Sequence, residues 1–491
     1  MARSKAMEEL IRREAQRRAQ EEEQRNPKVD HKTAMSGKIL PEPEPEPEPE
    51  HTDTSDVYSR LKQNPLGCIL KDQLKWVLAS ESFTDEQKKA ARMIAICKTE
   101  ELGGVLDYCE NCDAYVDFRY RSCNNRNCPN CQYPMQEKWV EMRKNEIIPG
   151  IPYYHIILTC PHDLNPLFES NGKLLLGLLM RTSSRSILTM CKDPEVLGAA
   201  PSILSVLHTW NSQLLPHFHT HMLVSGGGFD KEKNLVKLTD LRAQQKRDRK
   251  EADGGSVVET DSESDGQGEG NDYFLPMTAL TALFRDSFMA NLREMYTQHE
   301  LTIPACMEEL NDPFIWSDFC YRLEQTEWVG DLEKTTAQGE NVIEYFARYA
   351  YRTAISNSRI VSYDGEHVEF TVRDKTAPNG KKVLSLDART FVKRFLTHIL
   401  PKGFTRVRTY GILSNAWKTK NLISIHEQLG IDPYKRSPFQ NLKGLELMKA
   451  LFPNKEWCTC PYCHGPLQSH AFGKDWSEAE IARQLQRARA A

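Results

Sequence analysis

The chain has 491 residues, 27% of them charged and 40% hydrophobic, and its formal net charge is −4. That length is enough for two or three domains with their own cores, and no apolar run approaches the roughly 18 residues of a membrane-spanning helix. The first residues are charged and lack the apolar segment of a secretion signal, so we expect a cytoplasmic protein.

Residues 1–56 are predicted to form a disordered, charged N-terminal segment. Residues 1–25 are rich in Glu, Arg and Gln and have few apolar anchors, which is typical of a solvated or partner-dependent helix. The Pro-Glu repeat from Pro41 to Glu50 cannot form a helix because alternate prolines remove amide donors. We expect this repeat to be an extended spacer.

Two acidic segments account for the negative net charge, and the rest of the chain is positively charged. Residues 41–56 contain seven Asp or Glu and residues 251–272 contain eight, with no Lys or Arg in either segment. Removing those fifteen acids from a net charge of −4 leaves +11 on the rest of the chain. A positive remainder favours a polyanionic partner such as DNA, although an ordinary mixed surface can have the same composition. Residues 249–272, rich in Asp, Glu, Ser and Gly, predict a disordered acidic insertion.

The order of the predicted elements indicates an α+β fold. We expect a helical and zinc-binding region at 57–145, a catalytic domain at 150–415 and a C-terminal region at 416–491. Helical periodicity covers residues 71–80, 85–97, 174–190, 279–295, 340–351 and 390–400. Residues rich in β-branched and apolar side chains predict strands at 155–159 and 221–224, the second ended by glycines 226–228, and a hairpin of 368–372 with 382–386.

Cysteines are clustered rather than evenly spread. Six of the fourteen lie between Cys97 and Cys131, and three lie between Cys458 and Cys463. Clustering at two-residue spacing, without a secretion signal, favours metal binding over disulfides. Arginines, tyrosines and asparagines at 119–127 suit nucleic-acid contact, or simply a polar surface.

Two CxxC motifs predict a structural zinc site. A CxxC turn directs both sulfurs towards one ion, so Cys109 and Cys112 together with Cys128 and Cys131 would complete a tetrahedral thiolate site. Four protein ligands leave no open position for a water molecule, which makes the site structural rather than catalytic. Cys97 and Cys123 could form a second ion site or belong to the core.

A third CxxC motif lies near the C-terminus. Cys460 and Cys463, with Cys458 and His464 beside them, could form another knuckle. The segment alone lacks a fourth ligand at a convincing spacing, so zinc binding there is left open.

Three histidines alternate along one predicted strand, in the sequence His217-Phe-His219-Thr-His221. Alternate side chains of a strand point to the same face, so the three imidazoles should face the same way. Neighbouring neutral imidazoles can hold a divalent cation through their ring nitrogens. The pattern also fits a polar strand that binds no metal.

A later helix carries candidate nucleophiles. Tyr345 and Tyr349 are four residues apart, so their hydroxyls share one helix face, and Tyr351 lies about 160° from Tyr345 around the axis. A phenol, with a pKa of about 10, needs a polarised electrophile, and a metal on a phosphate would provide one. The neighbouring Arg348 and Arg352 would suit a phosphate, and the same tyrosine spacing also fits aromatic core packing.

Several motifs occur together in a fixed order. They occupy residues 97–104, 109–112, 122–132, 152–166, 207–210, 219–228, 344–357, 394–404 and 408–411. In this order they resemble the bacterial rolling-circle transposases of the insertion sequence 91 family, which carry an N-terminal zinc-binding domain. The resemblance covers roughly residues 90–415, which is most of the predicted folded chain.

This resemblance implies a fold and a set of site residues. The implied fold is that of the HUH endonucleases, an antiparallel sheet flanked by helices. The paired histidines that hold the catalytic Mg²⁺ or Mn²⁺ would be His219 and His221, because the Ser and Gly residues at 225–228 fix the register. The implied nucleophiles are Tyr345 and Tyr349.

The resemblance also implies an activity. The chain would nick and join single-stranded DNA at the ends of an insertion sequence, through a 5′-phosphotyrosyl intermediate, at the nucleoid. Two alternatives have the same motifs: an inactive, zinc-dependent DNA-binding descendant, and a replication initiator or relaxase with the same chemistry. The intact histidine pair and the two tyrosines favour the active transposase.

Overall fold

The computed structural model describes residues 64–252, 274–337, 339, 341–454, 457–473, 479–481, 483 and 485. All of them belong to one compact unit that spans residues 55–491. The predicted N-terminal segment at 1–56 lies outside the described residues, and so does the predicted acidic insertion from residue 253 onward. No helix among the described residues is long and apolar enough to cross a membrane.

The described chain contains both helices and strands along most of its length. The helices are α1 (Pro65–Asp72), α2 (Leu74–Ala79), α3 (Asp85–Ala95), α4 (Gln132–Arg143), α5 (Asn165–Ser170), α6 (Gly172–Cys191), α7 (Leu238–Ala252), α8 (Met277–Thr297), α9 (Pro313–Gln325), α10 (Asn341–Ala350), α11 (Ala388–Thr397), α12 (Lys418–Leu429) and α13 (Gly444–Leu451). The strands are β1 (Gly104–Cys109), β2 (Ala114–Tyr120), β3 (Tyr153–Thr159), β4 (Ala200–Trp210), β5 (Pro216–Phe229), β6 (Leu235–Lys237), β7 (Val329–Lys334), β8 (Ile360–Tyr363), β9 (His367–Arg373), β10 (Lys381–Asp387), β11 (Val407–Gly411) and β12 (Leu467–Phe472). The first four residues of the predicted acidic insertion are therefore the end of α7.

The main sheet is antiparallel and has the strand order β11-β4-β5-β3-β7, with β6 paired to one end of β5. Its two faces bury different helices because side chains alternate along each strand. On one face, Ile203 and Met222 pack into the largest core with α6 and α8. On the other face, Leu204 and Leu223 pack against α10 and α4. This mixed architecture confirms the predicted α+β class.

The helix α10 lies on the sheet through a strongly one-sided apolar face. Val342, Phe346 and Ala350 are buried in the same cluster as Val206 of β4. Because these residues recur every four positions, the helix turns one stripe towards the sheet. The tyrosines adjoin this stripe and lie at the boundary between the core and the open side.

Two smaller antiparallel sheets flank the main one. The sheet β10-β9-β8 contains the predicted hairpin of residues 368–372 and 382–386, which is confirmed. The sheet β12-β1-β2 joins the cysteine-rich hairpin β1–β2 to a strand from the end of the chain. That second pairing was not expected, because nothing local in the sequence relates residues 104–109 to residues 467–472.

Polar residues near the cysteines serve the fold. Arg126 is exposed, but its guanidinium donates to the carbonyls of Phe404 (2.7 Å) and Leu400 (3.3 Å). Arg119 pairs with the buried carboxylate of Asp107 at 2.7 Å. These contacts tie the cysteine-rich region together, while both arginines remain exposed to solvent.

The glycine run at 226–228 does not end the strand, which corrects the sequence-based boundary. β5 continues through all three glycines to Phe229. A Cβ on Gly228 would overlap the backbone carbonyl of Ala200 on the neighbouring β4. The glycines therefore allow close approach of two backbones inside the sheet rather than a turn at its edge.

Replacing Gly228 with Ala should destabilise the protein, because the new methyl group would force β4 and β5 apart. We expect a loss of about 1–3 kcal/mol in the free energy of unfolding. Denaturant titration followed by circular dichroism measures it. The matched control is Gly172→Ala at the start of α6, where a Cβ would meet only Pro401 at 3.6 Å. Equal stability of the two variants would contradict this account of the glycine run.

Candidate metal and nucleophile site

The middle of the main sheet presents three histidines on the face that α10 covers. His208 of β4 lies directly opposite His219 of β5, and His221 follows two residues later on the same face. One ring nitrogen from each residue lies within 4.8 Å of the others, and all three residues are buried. Three converging imidazoles can hold a divalent transition metal.

In each imidazole, one ring nitrogen already takes part in a hydrogen bond. The other nitrogen is therefore the one available to a metal. Nε2–H of His208 donates to the carbonyl of Tyr349 (2.8 Å), and Nδ1–H of His219 donates to a backbone carbonyl of its own strand (2.9 Å). Nδ1 of His221 lies 2.9 Å from Nε2 of His155. The nitrogens left for a metal are therefore Nδ1 of His208 and Nε2 of His219 and His221. Hydrogen bonds of this kind orient metal-binding histidines.

Burial keeps these imidazoles neutral. Desolvation lowers the pKa of His219 to about 3 and that of His155 to about 4. It also lowers the pKa of His208 and of His221 well below the ordinary value, and neighbouring imidazoles add to the shift. Neutral imidazole is the form that binds metal. The donor set and its protonation therefore fit a divalent cation.

His217 lies outside this group, although it shares the strand. Its Nδ1 lies 3.1 Å from Nε2 of His162, on the loop after β3. The sequence pattern alone could not choose between His217 and His221 as the partner of His219. The geometry places His221 with His219, as the resemblance implied.

The two candidate tyrosines meet above the histidines. The hydroxyls of Tyr345 and Tyr349 are 3.4 Å apart, and the hydroxyl of Tyr345 lies 3.1 Å from Nδ1 of His155. The ring of Tyr349 lies 4.5 Å from that of His221. Tyr351 faces away and packs on Trp139, with ring centroids 5.9 Å apart. This is the division between the tyrosines that helical spacing predicted.

Burial and the neighbouring Tyr349 raise the pKa of the Tyr345 hydroxyl above the ordinary value of a tyrosine. The main cause is desolvation, followed by the hydrogen bond with Tyr349. A phenol of raised pKa is a poor nucleophile unless its negative charge is stabilised as it develops. The surrounding cations and hydrogen-bond donors meet that need.

A cleft of about 650 Å³ opens over the histidines and both tyrosine hydroxyls. Its lining is rich in charge of both signs: Arg348, Arg352, Arg359, Arg373, Asp331 and Glu333. Burial lowers the pKa of Arg359 to about 10, so the group stays charged at neutral pH. Its guanidinium donates to the carbonyls of Thr371 and Ser212, which hold it at the edge of the cleft. Four arginines around buried imidazoles suit an anionic substrate such as a phosphodiester.

His208 and His155 were not assigned a role from the sequence. Both lie in motifs that carried the resemblance, at 207–210 and 152–166. An alternating pattern could have identified His208, but the segment 200–210 is apolar or small on both faces and buried throughout, so its periodicity is faint. His155 was the first residue of a predicted strand, and only the pairing of β3 with β5 brings it close to His221.

The cysteines form two clusters rather than the predicted single site. Cys128 and Cys131 lie with Cys97 and Cys123, with sulfur separations of 3.5 and 3.6 Å. The other cluster consists of Cys109, Cys112, Cys460 and Cys463. The predicted grouping of Cys109 and Cys112 with Cys128 and Cys131 is therefore wrong, because the β1–β2 hairpin directs its knuckle towards β12 and away from α4.

The first cluster is connected to the tyrosine helix through α4. Cys131 is the N-cap residue of α4, so the position of that helix depends directly on the cysteine cluster. The opposite part of α4 packs against α10, where Trp139 contacts Tyr351 and Lys144 pairs with Glu344 at 3.4 Å. An ion bound by the cysteines would therefore help to fix the helix that carries the candidate nucleophiles.

Comparison with known proteins gives matches over both regions. A family described as "Putative transposase" matches residues 202–245 and 253–421, and one described as "Transposase zinc-binding domain" matches residues 69–160. The "Putative transposase y4qJ" of Sinorhizobium fredii (strain NBRC 101917 / NGR234) is 30% identical over 383 residues, which are 78% of this chain and 88% of that protein. The "Transposase for insertion sequence element IS801" of Pseudomonas savastanoi pv. phaseolicola is 26% identical over 347 residues, which are 70% of this chain and 74% of that protein. Solved structures gave no significant match.

His208 should be as necessary for metal binding as His219 and His221. We expect His208→Ala to weaken Mn²⁺ binding at least tenfold, because one of three converging nitrogens is lost. Titration calorimetry with Mn²⁺ measures the affinity. The control is His217→Ala, which removes a neighbouring imidazole of the same strand that lies outside the cluster. A His217→Ala variant that loses Mn²⁺ while His208→Ala keeps it would overturn the ligand set.

Proposed function

The chain belongs to the rolling-circle transposases of the insertion sequence 91 family, with an N-terminal zinc-binding domain, and we propose that it nicks and joins single-stranded DNA through a tyrosine nucleophile. The observation that carries the proposal is the cleft in which two tyrosine hydroxyls, three converging imidazoles and four arginines meet. We also propose that the main sheet is HUH-endonuclease-like, because its central strand β5 carries the paired histidines.

Single-stranded DNA is the substrate that suits this cleft. A backbone phosphate must reach the bottom of the cleft, where the imidazoles are buried, and a complementary strand would hinder it. Arg348, Arg352 and Arg373 line the route and can pair with the phosphates on either side of the scissile one. Chromosomal DNA as substrate implies a cytoplasmic location at the nucleoid.

The metal-binding residues would be His208, His219 and His221. A bound Mg²⁺ or Mn²⁺ would neutralise negative charge on the scissile phosphate as a Lewis acid. Three imidazoles leave coordination positions for the oxygens of the substrate. The chain itself keeps these imidazoles neutral and directs one nitrogen of each towards the same point.

Tyr345 would be the first nucleophile. Its oxygen attacks the phosphorus, the bond to the 3′-oxygen breaks, and a 5′-phosphotyrosyl link forms. The phenolic proton passes to solvent in the cleft, and the leaving 3′-oxygen takes up a proton to become a hydroxyl. Because the link conserves the energy of the phosphodiester bond, a second strand can be joined by the reverse attack of a 3′-hydroxyl without ATP.

His155 would position the nucleophile. When Nδ1–H of His221 donates to Nε2 of His155, the proton of the neutral His155 ring resides on Nδ1 and points to the Tyr345 oxygen. That hydrogen bond stabilises negative charge on the oxygen during attack. Tyr349, whose hydroxyl is 3.4 Å away, would be free for a second strand transfer while Tyr345 is esterified.

Removing both hydroxyls should abolish covalent DNA attachment. We expect the Tyr345→Phe, Tyr349→Phe double variant to fold and bind single-stranded DNA from the element ends but to form no adduct in denaturing gels. The control is Tyr351→Phe, which loses a hydroxyl of the same helix on the far side and should retain the adduct. An adduct that persists in the double variant would refute the assignment. An unaltered protein that binds the DNA and never forms an adduct would favour the inactive descendant.

Replacing His155 with Phe should slow cleavage while the ring packing survives. Loss of a hydrogen-bond partner of a metal-binding histidine costs about 10–100-fold in activity or in metal affinity. We expect the loss in kcat, with little change in KM for the DNA, because His155 contacts the nucleophile and no phosphate-binding arginine. Single-turnover kinetics at saturating Mn²⁺ measure it. An unchanged kcat would exclude the proposed role.

The zinc-binding domain would hold its ion at Cys97, Cys123, Cys128 and Cys131. The sulfur separations of 3.5 to 3.6 Å are close to the edge of a zinc–thiolate tetrahedron, about 3.8 Å for bonds of about 2.3 Å. A backbone amide, Asn125 N–H, also donates to Cys123 Sγ at 3.5 Å. The ion would be structural, because all four positions are filled by protein.

A further inference from the structure

The second cysteine cluster brings together two knuckles from opposite ends of the sequence. Cys109 and Cys112 lie at the turn between β1 and β2, while Cys460 and Cys463 precede β12. Antiparallel pairing of β12 with β1 sets Cys109 opposite Leu467 and brings the second knuckle over the first. The sulfurs of Cys109 and Cys463 are 3.4 Å apart and those of Cys112 and Cys460 are 3.8 Å apart.

The two knuckles share a feature of backbone conformation. The residue after each second cysteine is left-handed, with φ of 49° at Asp113 and 57° at His464. Non-glycine residues rarely adopt this conformation, so its repetition marks two equivalent turns. In the second turn, the amide of Tyr462 donates to Cys460 Sγ at 3.5 Å. Amides that point at a sulfur stabilise a thiolate, which is the form that binds metal.

The knuckles also pack against each other. A Cβ on Gly465 would overlap the side chain of Asn111, which lies between Cys109 and Cys112. Gly465 also accepts a hydrogen bond from the amide of Cys460 at 2.8 Å. This close approach holds four sulfurs within 4.8 Å of one another.

We propose that Cys109, Cys112, Cys460 and Cys463 hold a second structural zinc ion, in a ribbon built from both ends of the described chain. The measured separations of 3.4 and 3.8 Å are near the about 3.8 Å edge of a zinc–thiolate tetrahedron. They exceed the about 2.05 Å of a disulfide bond. The matched zinc-binding family region ends at residue 160, so it contains only half of this site.

This second site would anchor the C-terminal segment. It joins residues 354 positions apart in sequence. Between the catalytic domain and the ribbon, the chain runs along α4, where Lys138 Nζ donates to the carbonyl of Leu442 (2.8 Å) and Ser437 Oγ to that of Glu141 (2.9 Å). The segment therefore covers the helix whose other side packs on α10. The proposal is independent of the DNA chemistry, because it concerns a structural ion.

The two zinc sites should differ in their accessibility. Cys463 is exposed, whereas Cys97, Cys128 and Cys131 of the first cluster are all buried. A chelator should therefore remove the ion of the split site first. Loss of that ion should release the segment 457–473 while the first cluster stays intact.

Zinc content of purified full-length variants tests the proposal. We expect Cys460→Ser with Cys463→Ser to lose one zinc per chain, and Cys109→Ser with Cys112→Ser to lose the same one. The variant with all four substitutions should also lose one zinc rather than two, because both pairs serve one ion. The matched control is Cys458→Ser, two residues from the knuckle and outside the cluster, which should keep the full content. A four-fold variant that loses two ions, or none, overturns the proposal.

A second measurement uses the unaltered protein and so does not depend on the folding of variants. Alkylation of thiols is followed by peptide mass spectrometry while a chelator removes zinc stepwise. The first ion released should expose Cys109, Cys112, Cys460 and Cys463 together and leave Cys97 protected. Release that exposes Cys109 and Cys112 with Cys128 and Cys131 would overturn the proposal, as would recovery of a Cys109–Cys463 disulfide from protein purified without oxygen.

Discussion

Antiparallel pairing of β4 with β5, in the register that sets His208 opposite His219, is the constraint on which the site depends. Side chains alternate along a strand, so a shift of one residue would turn His208 into the core that α6 and α8 cover. Gly228 allows the far ends of these two strands to approach closely, because a Cβ there would overlap the backbone of Ala200. The neighbouring pairing of β3 with β5 then adds His155 to the same face.

Helix α10 is fixed from several directions, which explains how two tyrosines reach the buried histidine cluster. Its apolar stripe packs on the sheet, and its last turn accepts hydrogen bonds from His208 and from the half-buried Arg406, at 2.8 and 3.3 Å. A cation at a helix C-terminus is favoured by the backbone dipoles. On the outer side, α4 connects α10 to the first cysteine cluster. The region that contains the first cysteine cluster thus helps to position the helix that carries the candidate nucleophiles.

Periodicity within a single helix or strand predicted the features of the site that lie within one such element. Four-residue spacing separated Tyr345 and Tyr349 from Tyr351. Strand alternation placed His217, His219 and His221 on one face, and the resemblance selected His221 as the partner of His219. What the sequence could not predict depends on pairings between distant segments. His208 becomes a neighbour of His219 only through the sheet, and a CxxC spacing identifies a knuckle without identifying its partner. The knuckle at Cys109 was therefore assigned to the nearest one in sequence rather than to the one at Cys460.

The central claim is that the hydroxyl of Tyr345 becomes linked to DNA. The unaltered protein would be incubated with Mn²⁺ and single-stranded DNA from the element ends, digested with nuclease and trypsin, and analysed by mass spectrometry. Cleavage after Lys334, Arg348 and Arg352 separates Tyr345 from Tyr349 and Tyr351, because the peptide 335–348 contains Tyr345 and no other tyrosine, whereas Tyr349 and Tyr351 share the peptide 349–352. The account predicts a nucleotide-modified 335–348 peptide. A modification confined to Tyr351, or to a peptide outside α10, would contradict it.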